Sequence, residues 1–225
     1  MARLFVTAST TKIVFTPASY PISAYPFDMH VWITSGSTVT NTALNMADVS
    51  SDIVFQIVAK RSATPVIQIS SRNLGGQVNA IGTTDLGSAG TVWHSLIGEF
   101  VNNTDRAGFV DGVQDATNIG DEGFGAGTDV ISIGALERLN PVTFWEGDIS
   151  QAAIWNVNLT ATSKTALANG VNPFVIQNTS LVFYCPVDGN LDPEPDYMST
   201  DTGVITNSPA KSANNPPVEL LENYL

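Results

Sequence analysis

Thr91–Thr117, "TVWHSLIGEFVNNTDRAGFVDGVQDAT", holds two apolar runs cut by turn-forming residues. "TVWHSLIGEFV" and "RAGFVDG" are rich in β-branched and aromatic side chains, and both read as strands. "GFVDGVQD" then turns on Asp111-Gly112. That dipeptide supplies the positive φ angles a tight two-residue turn demands, so a hairpin is expected with Asp111 in its turn.

Working outward, the same texture fills most of the chain. "RLFVTA", "KIVFTP", "FDMHVWITS", "SDIVFQIVAK", "TPVIQISS", "DVISIGAL", "GDISQAAIW" and "SLVFYCPV" all read as strands, and "TGVIT" could add another. In "DIVFQIVAK", Ile53, Phe55 and Ile57 alternate with Val54, Gln56 and Val58, which sends one set to a core and the other outward. Many short strands with turn signals between them predict an all-β, two-layer antiparallel sandwich or a barrel. One segment breaks the period. In "NLTATSKTALANGVNP", Leu159, Ala166 and Leu167 have helical spacing, Thr160 or Thr162 can cap the start, and Gly170 and Pro173 stop it. A single short helix over Ala161–Asn169 is expected, lying against the sandwich.

Composition narrows the partners. The chain has 225 residues, 43% hydrophobic and 13% charged, with a net charge of −12 and nine scattered basic residues. Phosphate backbones need a basic footprint, so no nucleic acid is expected, and an anionic membrane surface would repel the chain. No apolar run approaches the ~18 residues of a membrane span. "MARLFVTASTTK" does not read as a signal peptide, so synthesis in a cytoplasm is expected. A lone Cys185, within "LVFYCPV", reads as an inert buried thiol. Residues 1–206 read as one domain without internal repeats. Residues 207–225, rich in Pro, Asn and Ser, read as a C-terminal arm that a neighbouring subunit would hold.

Catalytic constellations are sparse. His30 and His94 each sit in an apolar strand, and two His with one Cys are too few for a zinc site. No G-x-S-x-G nucleophile elbow occurs, and the glycines of "NLGGQ" and "TTDLGSAG" lack the P-loop lysine. Glu146 and Asp148 have the i, i+2 spacing of paired carboxylates but read as a polar strand entrance. Sugar rings stack on exposed aromatic faces, and Tyr20, Tyr25, Phe124, Trp145 and Tyr197 lie near predicted loops; for Trp145 an exposed platform and core packing both stand. Trp32, Trp93 and Trp155 lie in runs read as strands and are expected in the core. In "NIGDEGFGAGTDV", Asp121, Glu122 and Asp129 could supply part of a calcium shell, although their spacing matches no EF-hand.

Three stretches carry a resemblance. "TVWHSLIGEFVNNTDRAGFVDGVQDAT" resembles the strand–hairpin–strand signature of laminin-G-like, concanavalin A-like domains, with a Trp-His opening and a Val-Asp-Gly close. "FWEGDISQAAIWNVNLTATSKTALANGVNP" is similar to that family's last core strand and helix, and "SLVFYCPVDGN" to a further segment with Cys185 where Trp is usual. The match is best over 27–190, and "YCPVDGN", which often opens such domains, here follows the helix. The resemblance implies a two-sheet jelly-roll β-sandwich that binds glycans or proteins, sometimes with calcium at its rim. The paired-acid strand of the fold's glycosidases is missing, so no enzyme is expected. Composition and layout suggest a virion protein (capsid decoration, fibre or tail-associated) touching other subunits, likewise expected at a virion surface. The alternative is a lectin-like module for host-surface glycans, assisted or not by calcium.

Overall fold

The apolar runs form antiparallel strands in a computed structural model that describes residues 1–6, 10–18, 22–50, 52–60, 64–74, 76–125, 127–137 and 141–218. In chain order they begin with β1 (Ala2–Phe5), β2 (Lys12–Phe15), β3 (Phe27–Ile33), β4 (Asn41–Asp48) and β5 (Ile53–Lys60). Next come β6 (Val66–Asn73), β7 (Gly76–Ile81), β8 (His94–Asn102), β9 (Asp105–Val110), β10 (Val113–Asn118) and β11 (Val130–Ile133). β12 (Gly147–Trp155), β13 (Leu181–Cys185), β14 (Glu194–Pro195), β15 (Thr202–Thr206) and β16 (Ala210–Ser212) complete the set. Among the described residues they build two eight-stranded sheets, the layers of a jelly-roll sandwich. The first runs β10-β9-β8-β3-β12-β1-β16, with β13 also on β12; the second runs β14-β15-β2-β11-β4-β5-β6-β7.

Alternation decides which side chains meet between the layers. Met29, Val31 and Ile33 of β3, with Leu96 and Phe100 of β8, face Phe55, Ile57, Ile67 and Ile69 of the second sheet in one buried cluster. The opposite set on β5, Val54, Gln56 and Val58, points away from that cluster, as the period predicts, yet is also buried. The cover is the antiparallel bridge between Leu136 and Val142, which packs Leu136 on Ala47, Val54 and Val130.

The expected turn is present. Asp111 and Gly112 have φ of 51° and 80°, and β9 pairs with β10 directly across them. Asp111 does more than turn the chain: its carboxylate accepts hydrogen bonds from Ser95 N at 2.9 Å and meets His94 Nδ1 at 2.8 Å.

The segment that follows the helix finds its place by sharing an edge. β1 pairs with Gly147–Ile149 of β12, and β13 pairs with Ala152–Trp155 of the same edge. The helix itself is α1 (Ala161–Ala168), capped by Thr160, whose side chain accepts from Ser163 N, and ended at Asn169 before Gly170. Leu159 and Leu167 pack it on Ile97, Phe109, Trp155 and Tyr184, on the outside of the first sheet. Asp28 is sealed beneath it, accepting hydrogen bonds from Asn158 Nδ2 at 2.7 Å and Leu159 N at 3.0 Å.

Residues 207–218, expected to form an arm, pair within their own chain. β16 pairs with β1, Arg3 donates to Pro209 O, and Asn214 bonds both Trp93 Nε1 and Asp148. Pro217 reaches Gly170, where an added Cβ would lie 1.8 Å from the Pro217 carbonyl oxygen. The described part of the arm is thus held by its own chain, because β1 offers it an open edge. The last seven positions, 219–225, lie outside the described residues.

Candidate functional site

A groove of about 190 Å³ opens on the outer face of the second sheet, between the Leu136–Val142 bridge and the strands β5–β7. Antiparallel register builds it, since outward positions on adjacent strands stand side by side. Val58 lies opposite Thr42 on one side and Gln68 on the other, and Gln56 lies opposite Ser70. Val54, Val58, Leu136 and Val142 supply the apolar lining. Thr40, Thr42 and Thr143 supply hydroxyls, and Gln56, Gln68 and Gln77 supply amides. Three of the polar groups are nine-tenths buried or more: Thr42, Gln56 and Gln68. Thr42 Oγ1 meets Thr143 Oγ1 at 2.8 Å and Gln56 Oε1 at 3.2 Å, which ties Thr143 to the strands beneath it. Arg72 enters at one end, held by Asp52 at 2.6 Å. Hydroxyls and amides over an aliphatic lining, with the charge already paired, suit a neutral, hydroxyl-rich ligand.

The residues singled out in the sequence lie elsewhere. Trp145 is fully buried, and its indole donates to Thr34 O at 3.2 Å, so packing is the reading that holds and a stacking platform is excluded. Tyr25 and Phe124 do come together, with ring centroids 5.4 Å apart, but inside an aromatic cluster with Phe27 and Phe55. One Tyr25 face stacks on Phe27 and its hydroxyl donates to Glu122 O at 3.0 Å; burial pushes its pKa up to about 12. Tyr197 is half-exposed beside Tyr184. Trp93 is a correction of a smaller kind: it precedes β8 and is half-buried, whereas Trp32 and Trp155 are buried as expected. Tyr20 lies outside the described residues.

The three calcium candidates are not gathered. Asp121 accepts from Asn103 Nδ2 at 2.7 Å, and the Glu122 carboxylate lies over Gly76, where an added Cβ would sit 2.6 Å from it. Asp129 instead accepts from Val49 N at 2.9 Å, beside the end of β4. The loop separates them because residues 121–122 dock on the turn at Asn103, while Asp129 is fixed by its own N–H to Ala47 O. Among the described residues no three His, Cys, Asp or Glu side chains assemble into a metal-holding group. The Glu146–Asp148 pair is structural at Asp148, which is buried and bonded to Thr34 and Asn214. Cys185 is buried, and burial pushes its thiol well above the ordinary range.

Sequence reasoning missed the groove residues. Gln56 stood in the outward set, but nothing in the pattern placed Thr42, Gln68 and Thr143 around it. The signal that was available is the polar residue at alternate positions of apolar strands: Gln56 in "IVFQIVAK" and Gln68 in "VIQISS".

Residues 8–163 match the family model described as the concanavalin A-like lectin/glucanases superfamily (Laminin_G_3). The chain belongs to that superfamily. Its sandwich, with one helix on the outside, is that of the concanavalin A-like fold. A putative carbohydrate-binding protein from Bacteroides ovatus superposes with a TM-score of 0.66 at 18% identity, covering 91% of this chain and 57% of that one. The CBM40 module of the Ruminococcus gnavus IT-sialidase, bound to α2,3-sialyllactose, gives 0.54 at 14% identity, with 75% and 98% covered. The enzymatically active domain of bacteriophage CBA120 tailspike protein 2 gives 0.61 at 12%, with 84% and 30% covered. The chain therefore spans little over half of the Bacteroides structure and under a third of the tailspike one. At these identities the likeness is one of fold. No curated protein matches the chain. Among the described residues no helix is long and apolar enough to cross a membrane.

Proposed function

We propose that this concanavalin A-like chain is a glycan-binding, lectin-like module that holds its ligand in the groove on the second sheet without turning it over. The observation that carries the reading is the set of buried Thr42, Gln56 and Gln68 side chains aimed outward over an aliphatic lining. One polar group from each of the adjacent strands β4, β5 and β6, beside the Leu136–Val142 bridge, gives fixed donors and acceptors, and such preorganisation is what recognition of hydroxyl-bearing ligands needs. The superfamily and the carbohydrate-binding structures that share the fold support the same reading.

The virion structural role expected from composition has less under it. The described part of the arm that would grip a neighbour is engaged by β1, and the tailspike likeness is one of fold. A glycan array probed with the purified chain tests the proposal. Selective binding lost in Gln68→Ala, with the melting temperature kept, is the expected result. An array without signal at high protein concentration would overturn it.

A further inference from the structure

The two buried glutamines of the groove are committed from opposite ends of their amides. Gln56 uses Oε1 to accept from the Thr42 hydroxyl at 3.2 Å, so the end it offers a ligand is the Nε2 donor. Gln68 commits Nε2 to Ser70 Oγ at 2.8 Å and to Asn79 Oδ1 at 3.3 Å, so the end it offers is the Oε1 acceptor. Asn79 Oδ1 also accepts from Ser70 Oγ at 2.7 Å and Gln77 Nε2 at 2.9 Å. Asn79 Oδ1 is thus the shared acceptor of Gln68, Ser70 and Gln77, in keeping with that direction for the Gln68 amide. The register pairs Gln56 with Ser70 and Val58 with Gln68. The two glutamines are therefore diagonal neighbours on one face of the sheet, roughly 7–8 Å apart at the backbone. A donor and an acceptor on neighbouring strands match a secondary amide held between them, whose N–H and C=O lie in one plane and point in opposite directions.

The remaining lining points the same way. Among the described lining residues there is no aromatic ring, so the groove has no platform for the face of a sugar. It has branched aliphatics instead, and Val54 and Val58 flank Gln56 on its own strand. Those shapes suit a methyl group. The groove is small, about 190 Å³. Charge disfavours acidic sugars: Arg72, the one cation among the described lining residues, is paired with Asp52 through Nη2, and the chain carries a net −12.

We infer that the groove reads an uncharged N-acetylated hexosamine through its acetamido group. The acetamido N–H donates to Gln68 Oε1, its carbonyl accepts from Gln56 Nε2, and its methyl rests on Val58, which adjoins both glutamines. This assignment rests on the glycan-binding reading and narrows it to one substrate class.

Calorimetric titration of the full chain with three sugars tests it: N,N′-diacetylchitobiose, cellobiose (the same linkage with hydroxyls in place of acetamido groups) and α2,3-sialyllactose. Two hydrogen bonds and a buried methyl predict that diacetylchitobiose binds about tenfold tighter than cellobiose, with sialyllactose the weaker of the two acetylated probes. Gln56→Glu, which puts an acceptor where the donor was, brings the two neutral disaccharides to near parity. Gln56→Leu, which keeps the volume, does the same and serves if the charged variant fails to fold. Cellobiose binding as tightly as diacetylchitobiose, or a preference that survives both Gln56 variants, overturns the inference and leaves glycan binding standing. Failure of all three sugars together with a blank glycan array removes both.

Discussion

Trp145 shows how one residue can be misjudged from its neighbours and corrected by its contacts. "VTFWEGD" looks like a loop, and a tryptophan there can be a platform, but its ring completes the core and its N–H meets Thr34 O. Trp145→Ala should therefore cost about 3–5 kcal/mol of stability, the range for emptying a large aromatic site. Urea denaturation would show it, and a loss under 1 kcal/mol would contradict the burial. Two other buried residues set the pH dependence. Burial pushes Asp28 up to about 7, partly offset by Lys164, and pushes His30 down to about 3. Asp28 is raised above its ordinary 3.8, so the stability it contributes is complete below that value and lost as pH rises through about 7. His30 is depressed from 6.5, so its contribution is present above 6.5 and lost as pH falls through about 3. Between roughly pH 4 and 6.5 the two trends oppose, and the wild-type profile should be shallow there. Asp28→Asn leaves only the histidine, so its stability relative to wild type should improve as pH rises from 4 to 8. Parallel denaturation profiles for the two proteins would contradict this.

Elements differ in how plainly they are written in the chain. The hairpin at Asp111-Gly112 and the helix at Ala161–Ala168 were legible, because each rests on a local rule: a turn dipeptide, or a cap and a stop. β4, "NTALNMAD", was not. Its Asn, Ala, Leu and Met have weak strand preference, and because Leu136 and Val142 cover its outer face, no polar-out alternation marks it. The partners of the terminal strands were equally hidden, since pairings across most of the chain leave no local trace. Arg3 on β1 spans that separation, bonding Glu194 at 2.5 Å, Leu191 O at 2.5 Å and Pro209 O at 2.8 Å from an almost fully buried position. Burial raises the pKa of Glu194, against the pull of Arg3. Arg3→Met strands that carboxylate in the interior and should cost about 3–5 kcal/mol. It should also increase amide hydrogen exchange in β1 and β16 before the central strands. Uniform exchange across both sheets would show that the pair does not fasten this edge.

At the scale of the molecule, the composition told of an acidic β-sandwich and the motifs told of its superfamily, while the groove stayed invisible until two layers and the covering Leu136–Val142 bridge were in place. Aromatic side chains drew attention in the sequence because stacking is the familiar route to sugars. The fold instead spends most of them on the core, and leaves threonine hydroxyls and glutamine amides to face out from strands covered on both sides. Recognition on that surface depends on register, and register is a property of the whole sheet. The most direct test is amide chemical-shift mapping of the isotope-labelled full chain during titration with diacetylchitobiose. Saturable shifts centred on the side-chain amides of Gln56, Gln68 and Gln77 and on the backbone of β5 and β6 are the predicted result. Shifts confined to the loop around Tyr25 and Phe124, with those glutamines unmoved, would contradict the account.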